Sequence, residues 1–192
     1  MYIYRVKWRL IFACLALLAL VAVIAYVLHE TKLEHRYDPQ ITAAARRYGV
    51  DPALVKAVVW HESRFNANAR GKAGEIGLMQ LRDLAAQEWA DSEHITTFVH
   101  EQCFDPATNT LAGAFYLGKL LRRYTNTDDP VPYALADYNA GRTYVLKWNT
   151  NSAATNSAAF IAQIKFPGTR QYVKSVMNRY EHYRQQFAST QN

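Results

Sequence analysis

The stretch Trp60–Gln80, WHESRFNANARGKAGEIGLMQ, sets one acid, Glu62, at the end of an apolar helical run and then passes through Gly71, Gly74 and Gly77 into Gly-Leu-Met-Gln. Asp51-Pro52 marks the start of that helix. Along it, Val55, Val59 and Glu62 fall on one stripe, with Phe65 beyond. The acid therefore faces the core side. A carboxylate in that place meets the negative end of the helix dipole and apolar neighbours, and both raise its pKa. That is the environment a general acid needs near neutral pH, although the pattern alone fits an exposed glutamate in a frayed last turn equally well. The glycines let backbone approach a ligand closely, but by themselves they mark only a turn-rich segment.

Working outward, helix signals dominate. Asp38-Pro39 and Asp51-Pro52 each read as an N-cap acid followed by a first-turn proline, with the first helix ending at Gly49. Further helical patterns cover residues 82–90, 107–124, 131–138, 142–148 and 169–187. Strand signals are confined to short pieces within 69–80, so the expected fold is mainly α with a short irregular or β segment beside Glu62. Residues 149–159, NTNSAATNSAA, are small, polar and aperiodic, which predicts a mobile surface loop or groove rim.

Residues 10–28, LIFACLALLALVAVIAYVL, carry no charge and are long enough for a helix to cross ~30 Å of hydrocarbon. Arg5, Lys7 and Arg9 precede the run, and His29 and Glu30 follow it, which leaves the amino terminus in the cytoplasm and sends the remainder outward. The chain thus divides into a basic segment (1–9), a transmembrane signal anchor (10–28), a short charged linker (29–37) and one domain (38–192). The alternative is a signal peptide cut near Val23-Ile24-Ala25, which would release the domain. Against that, the apolar run continues past the site.

Hydrophobic residues make up 50% of the chain and charged residues 20%, a balance that suits a globular domain and excludes a disordered one. The formal charge of +6 is concentrated at the start: beyond residue 28 there are 19 basic against 16 acidic residues. Such a surplus suits an anionic polymer but lacks the dense basic stripe that nucleic acid requires. The 13 tyrosines offer flat apolar area with a polar handle, useful in a wet groove. Cys14 and Cys103 cannot staple the domain or form a zinc site, and no metal or cofactor motif is present.

Several motifs then occur in one order. They are Glu62-Ser63 with Phe65; Gly74-Glu75-Ile76-Gly77-Leu78-Met79-Gln80; Asp105-Pro106 with Asn109, Gly113 and Tyr116-Leu117; Ala134-Leu135-Ala136-Asp137-Tyr138-Asn139-Ala140-Gly141; and Thr169-Arg170-Gln171-Tyr172-Val173. Together they resemble the catalytic domain of soluble-type lytic transglycosylases, relatives of goose-type lysozyme, over residues 38–185. The resemblance implies an α+β lysozyme-like domain acting on peptidoglycan glycan strands outside the inner membrane, without cofactor or metal. It makes Glu62 the catalytic acid, has Ser63 support the sugar site and has Met79 and Gln80 line the glycan groove. Tyr138 and Asn139 would lie beside the carboxyl and substrate, with the Tyr138 hydroxyl orienting Glu62, and Tyr172 would shape the groove wall. Met79 and Tyr172 also fit plain core positions, and nothing in the sequence names a protein partner.

Glycoside cleavage normally uses two carboxylates. The positions that hold the further acids of goose-type lysozymes fall here on Arg82 and Gly71, so the resemblance implies a one-acid route ending in a 1,6-anhydro sugar. The sequence departs from the family pattern at Gly71, where serine is common, at Arg142 and Gly168, and at Glu75 and Asp137, where alanine is common. Glu75 or Asp137 would each supply a second acid. Two other readings follow: a muramidase that admits water with the help of Glu75, Asp83 or Asp137, and a catalytically weak peptidoglycan-binding module of an envelope-spanning machine.

Overall fold

The computed structural model describes residues 2–189; Met1 and residues 190–192 lie outside the described residues, as do the side chains of Arg5, Lys7 and Arg9, on which the expected topology rests. The chain forms two compact units, Met1–Arg36 and Tyr37–Asn192. The first is a single helix, α1 (Tyr2–His35), and it is long and apolar enough by length and composition to cross a membrane. All its side chains from Cys14 to Lys32 are exposed. The helix continues through Glu30 and Lys32, where the sequence suggested a linker.

The second unit is built from α2 (Asp38–Tyr48), α3 (Pro52–Ser63), α4 (Asp83–Ser92), α5 (Pro106–Arg123), α6 (Pro130–Ala140), α7 (Arg142–Trp148), α8 (Ser157–Gln163) and α9 (Pro167–Ser189). An aspartate–proline step starts three of them: Asp51, Asp105 and Asp129 each accept a backbone N–H of the first turn while the proline fills a position with no N–H to satisfy. Asp38 departs from that expectation. It lies inside the first turn of α2, and its carboxylate instead meets the ammonium of Lys56, at 2.7 Å. Lys56 is 1% exposed and lies under the Tyr183 ring, so its charge is compensated by an ion pair and a π face.

Helix α6 runs through the middle, buried from Pro132 to Asp137, with α5 and α9 packed against it; α3 packs on α9 and α2 on α5. Residues 149–159 correct the loop expectation. They fold as a 3-10 turn (Asn151–Ala154) leading into α8, because Ala153 and Phe160 are buried and the Tyr133 hydroxyl donates to the Ala153 carbonyl at 2.8 Å. The short pattern hid one large apolar anchor behind small residues.

Between α3 and α4 the backbone makes only isolated antiparallel bridges, Arg70 to Ile76 and Ile76 to Leu81, matching the expected short β pieces. Asn109 holds this segment. Its buried side chain accepts the Met79 N–H at 2.8 Å and donates to the carbonyls of Ile76, at 3.0 Å, and Cys103, at 2.8 Å. Gly77 is required beside it: its φ is +78°, and a Cβ there would lie 2.2 Å from the Asn109 amide nitrogen. Replacing Asn109 with alanine leaves the Met79 N–H and the Cys103 carbonyl buried without that partner, while the Ile76 carbonyl keeps the Leu81 N–H, so chemical denaturation should show a loss of about 3 kcal/mol.

Candidate active site

Helix α3 ends directly after Glu62-Ser63, because Arg64 and Phe65 both take left-handed backbone conformations, with φ of 51° and 62°. Such conformations are uncommon for side chains of this size and persist only when the surroundings impose them. Here Phe65 is drawn into the core. The end of α3 is also pinned from outside, with the Trp60 ring between the guanidinium groups of Arg64, at 3.3 Å, and Arg179, at 3.9 Å. The His61 ring meets Tyr172 of α9 edge-on at 4.6 Å.

Glu62 opens into a cavity of about 410 Å³ whose walls include Glu75, Gln80, Arg82, Tyr116, Tyr138 and Asn139. Its pKa is raised from the ordinary 4.5 to about 7. Burial is the leading cause, a contact from Tyr172 works against it, and the charge of Glu75 adds to it. The acid is therefore populated in both protonation states near neutrality.

The tyrosines around it differ in what they can offer. The Tyr138 hydroxyl donates its hydrogen to the Met79 carbonyl at 2.7 Å, so toward Glu62 it can only accept. Both residues line the one cavity. The Tyr172 hydroxyl is buried and has no hydrogen-bond partner of good geometry, and its hydrogen is free to stabilise ionised Glu62. Tyr172 is 3% exposed and stands behind Glu62, which corrects its placement as groove wall. Burial, with the charge of Glu62 second, raises both phenols well above their ordinary value, which keeps them protonated.

Gln80 lines the cavity, with its amide nitrogen donating to the carbonyls of Ala69, at 3.2 Å, and Gly77, at 2.9 Å. Its amide oxygen is thereby left for a ligand. Asn139 is complementary: its oxygen accepts from the Thr169 hydroxyl at 2.8 Å, leaving its N–H groups to donate. Met79 corrects the expectation. Its side chain is fully buried in the space over Gly113, where a Cβ would stand 2.1 Å from the sulfur, and it contributes only its backbone to the site. Ser63 likewise turns inward, donating to the Val59 carbonyl one turn back at 3.2 Å.

Asp137 borders the cavity but is 2% exposed, bound to Arg123 at 2.5 Å and to the Tyr124 hydroxyl at 2.6 Å. Its carboxylate is engaged by these partners, which counts against its candidacy as a second acid. Asp83, at the start of α4, does not line the cavity. Glu75 does, together with Arg82 and Tyr116, neither of which the sequence marked as site residues. Tyr116 packs against Tyr138 with ring centres 5.6 Å apart and was legible only as part of a helical motif. Among the described residues no cluster of His, Cys, Asp and Glu is arranged to hold a metal ion.

An acid at a broken helix end, facing a groove walled by tyrosines and amides, defines a class that comparison with known proteins names. The chain belongs to the transglycosylase SLT domain family, which matches residues 39–161. It is 36% identical over 113 residues to membrane-bound lytic murein transglycosylase F of Desulfosudis oleivorans, covering 57% of this chain and 23% of that one. With membrane-bound lytic murein transglycosylase C of Haemophilus influenzae it shares 33% over 137 residues, 66% of this chain and 37% of the relative. The solved structure of an inactive variant of the lytic transglycosylase Slt from Pseudomonas aeruginosa matches with a TM-score of 0.71 and 28% identity, over 78% of this chain and 24% of that one. The fold is thus mainly α and lysozyme-like. The chain spans between about a quarter and two fifths of the length of these relatives.

The raised pKa of Glu62 has a stability consequence. In the folded protein ionisation is opposed, so the contribution of Glu62 is fully present below pH 4.5 and lost as pH rises to about 7. A Glu62→Gln variant escapes that loss: at pH 8 it should be more stable than the parent by about 3 kcal/mol, and at pH 4 nearly equal to it, read from denaturant midpoints.

Proposed function

We propose that the protein is a peptidoglycan lytic transglycosylase, with Glu62 serving first as acid and then as base. The observation that carries this reading is Glu62 itself, raised to about 7 in a groove whose remaining polar groups are placed to bind rather than to react. Protonated Glu62 gives its proton to the glycosidic oxygen between N-acetylmuramic acid and N-acetylglucosamine as the bond from the muramoyl C1 breaks. The muramoyl acetamido group stabilises the cationic centre. Ionised Glu62 then takes the proton of the muramoyl 6-hydroxyl while that oxygen bonds to C1, closing a 1,6-anhydro ring and restoring the acid. No water is consumed. Gln80 accepts and Asn139 donates to the sugar, Tyr138 favours the acid form of Glu62, and Tyr172 favours the carboxylate.

Helix α1 anchors the domain in the inner membrane, and the basic residues that precede its apolar run keep the amino terminus in the cytoplasm, so the domain faces the wall. The names of the two membrane-bound relatives agree with an anchor. The test is digestion of purified peptidoglycan by the full chain in detergent micelles, beside Glu62→Gln, with the released muropeptides identified by mass. Anhydromuropeptides should appear with the parent and fall by orders of magnitude with the variant. Reducing ends in their place would establish a muramidase, and no Glu62-dependent product would establish a binding module.

A further inference from the structure

One charged group in the cavity plays no part in this chemistry: Glu75. Its seat is built by the loop. The Gly71 N–H donates to the Glu75 carbonyl at 2.7 Å and closes a tight turn. A Cβ on Gly71 would stand 2.3 Å from Glu75 Oε2 and 3.0 Å from Gln80 Oε1, so the missing side chain at 71 leaves the volume that the carboxylate fills. Oε2 accepts the Ala73 N–H at 3.0 Å, and Oε1 lies 3.8 Å from Nε of Arg82. Oε2 is thus held by a backbone donor, which fixes the carboxylate in its seat, while Oε1 has only the distant Arg82.

We propose that Glu75 is a positioning residue of the catalytic centre: a fixed negative charge, seated in the space left open at Gly71, that holds Glu62 in its acid form and sets the upper pH limit of the reaction. This rests on the reading of Glu62 as the catalytic acid. Glu75 and Glu62 line the same cavity, and the charge of one opposes ionisation of the other. The remaining groups around Glu62 do not substitute for it. Tyr172 of α9 acts in the opposite sense, and Tyr138 of α6 and Tyr116 of α5 are neutral phenols. His61 and Arg64 lie on the same helix end, and the charge of Asp137 is matched by Arg123. Arg82 screens Glu75 only weakly, since its side chain is 68% exposed and the pair is long.

The experiment compares the full chain in micelles with Glu75→Gln, which removes the charge, and Gly71→Ala, which displaces the carboxylate while keeping it. The Glu62 carboxyl is titrated by carbon NMR of glutamate-labelled protein without substrate, its signal assigned by its loss in Glu62→Gln. Both variants should titrate at lower pH than the parent, and the double variant no lower than Glu75→Gln alone. With peptidoglycan, the alkaline limb of the rate profile should move the same way, giving roughly a threefold loss at pH 8. An unchanged Glu62 titration in Glu75→Gln overturns the proposal, whatever the enzyme makes. Selective loss of reducing-end products in that variant overturns it too, since Glu75 would then be a base. A shifted titration without any Glu62-dependent product supports the charge coupling and refutes only the transglycosylase reading.

Discussion

The three hydrogen bonds of Asn109 are the constraint on which the rest of the site depends. The segment from Arg64 to Arg82 contains no extended strand, so its backbone groups cannot satisfy one another through a ladder. One amide on α5 does that work from below. It fixes Met79, whose carbonyl takes the Tyr138 hydrogen, and Ile76, whose bridges position Glu75 and Leu81. The geometry of Tyr138 and Glu75 around Glu62 therefore traces back to a residue that touches no ligand. Such a connection explains why Gly77 and Gly113 must lack side chains: one makes room for the amide, the other for the Met79 side chain.

Glu62 sits among competing influences, of which burial prevails. Burial and the charge of Glu75 favour the acid, and Tyr172 favours the carboxylate. The result near 7 is neither that of a fully buried glutamate nor that of an exposed one. Tyr138 and Tyr172 divide the two states between them because one hydroxyl has already spent its hydrogen and the other has not. For a residue proposed to donate and then accept, equal service to both forms matters more than maximal stabilisation of either.

The legible part of the molecule was the part written in periodicity and caps. The stripe Val55, Val59, Glu62 pointed the acid inward, and the Asp51-Pro52 start and Gly49 stop fell where expected. What the sequence could not carry was direction within a position. Met79 and Gln80 are neighbours in one motif, yet a left-handed φ of 47° at Gln80 turns that residue to the cavity while Met79 is swallowed by the core. Asp137 and Glu75 looked alike as extra acids. Only three-dimensional neighbours, Arg123 and Tyr124 for one, Ala73 and the open space at Gly71 for the other, separate them. Residues 149–159 failed for a different reason: a helix of seven residues anchored by Phe160 gives too few turns for a period to register.

The same neighbours bear on the choice between one acid and two. A hydrolytic route needs a second carboxylate free to hold a water and take its proton. Asp137 is bound by an arginine and a phenol, Asp83 is off the cavity, and Oε2 of Glu75 is held by the Ala73 N–H. These neighbours favour the proposed one-acid route, with Glu62 as the acid. An attacking group that arrives on the substrate itself, already close to C1 and deprotonated by the acid that has just been ionised, needs no further base. The effective concentration of such an internal hydroxyl replaces the machinery that a water-using site would have to supply.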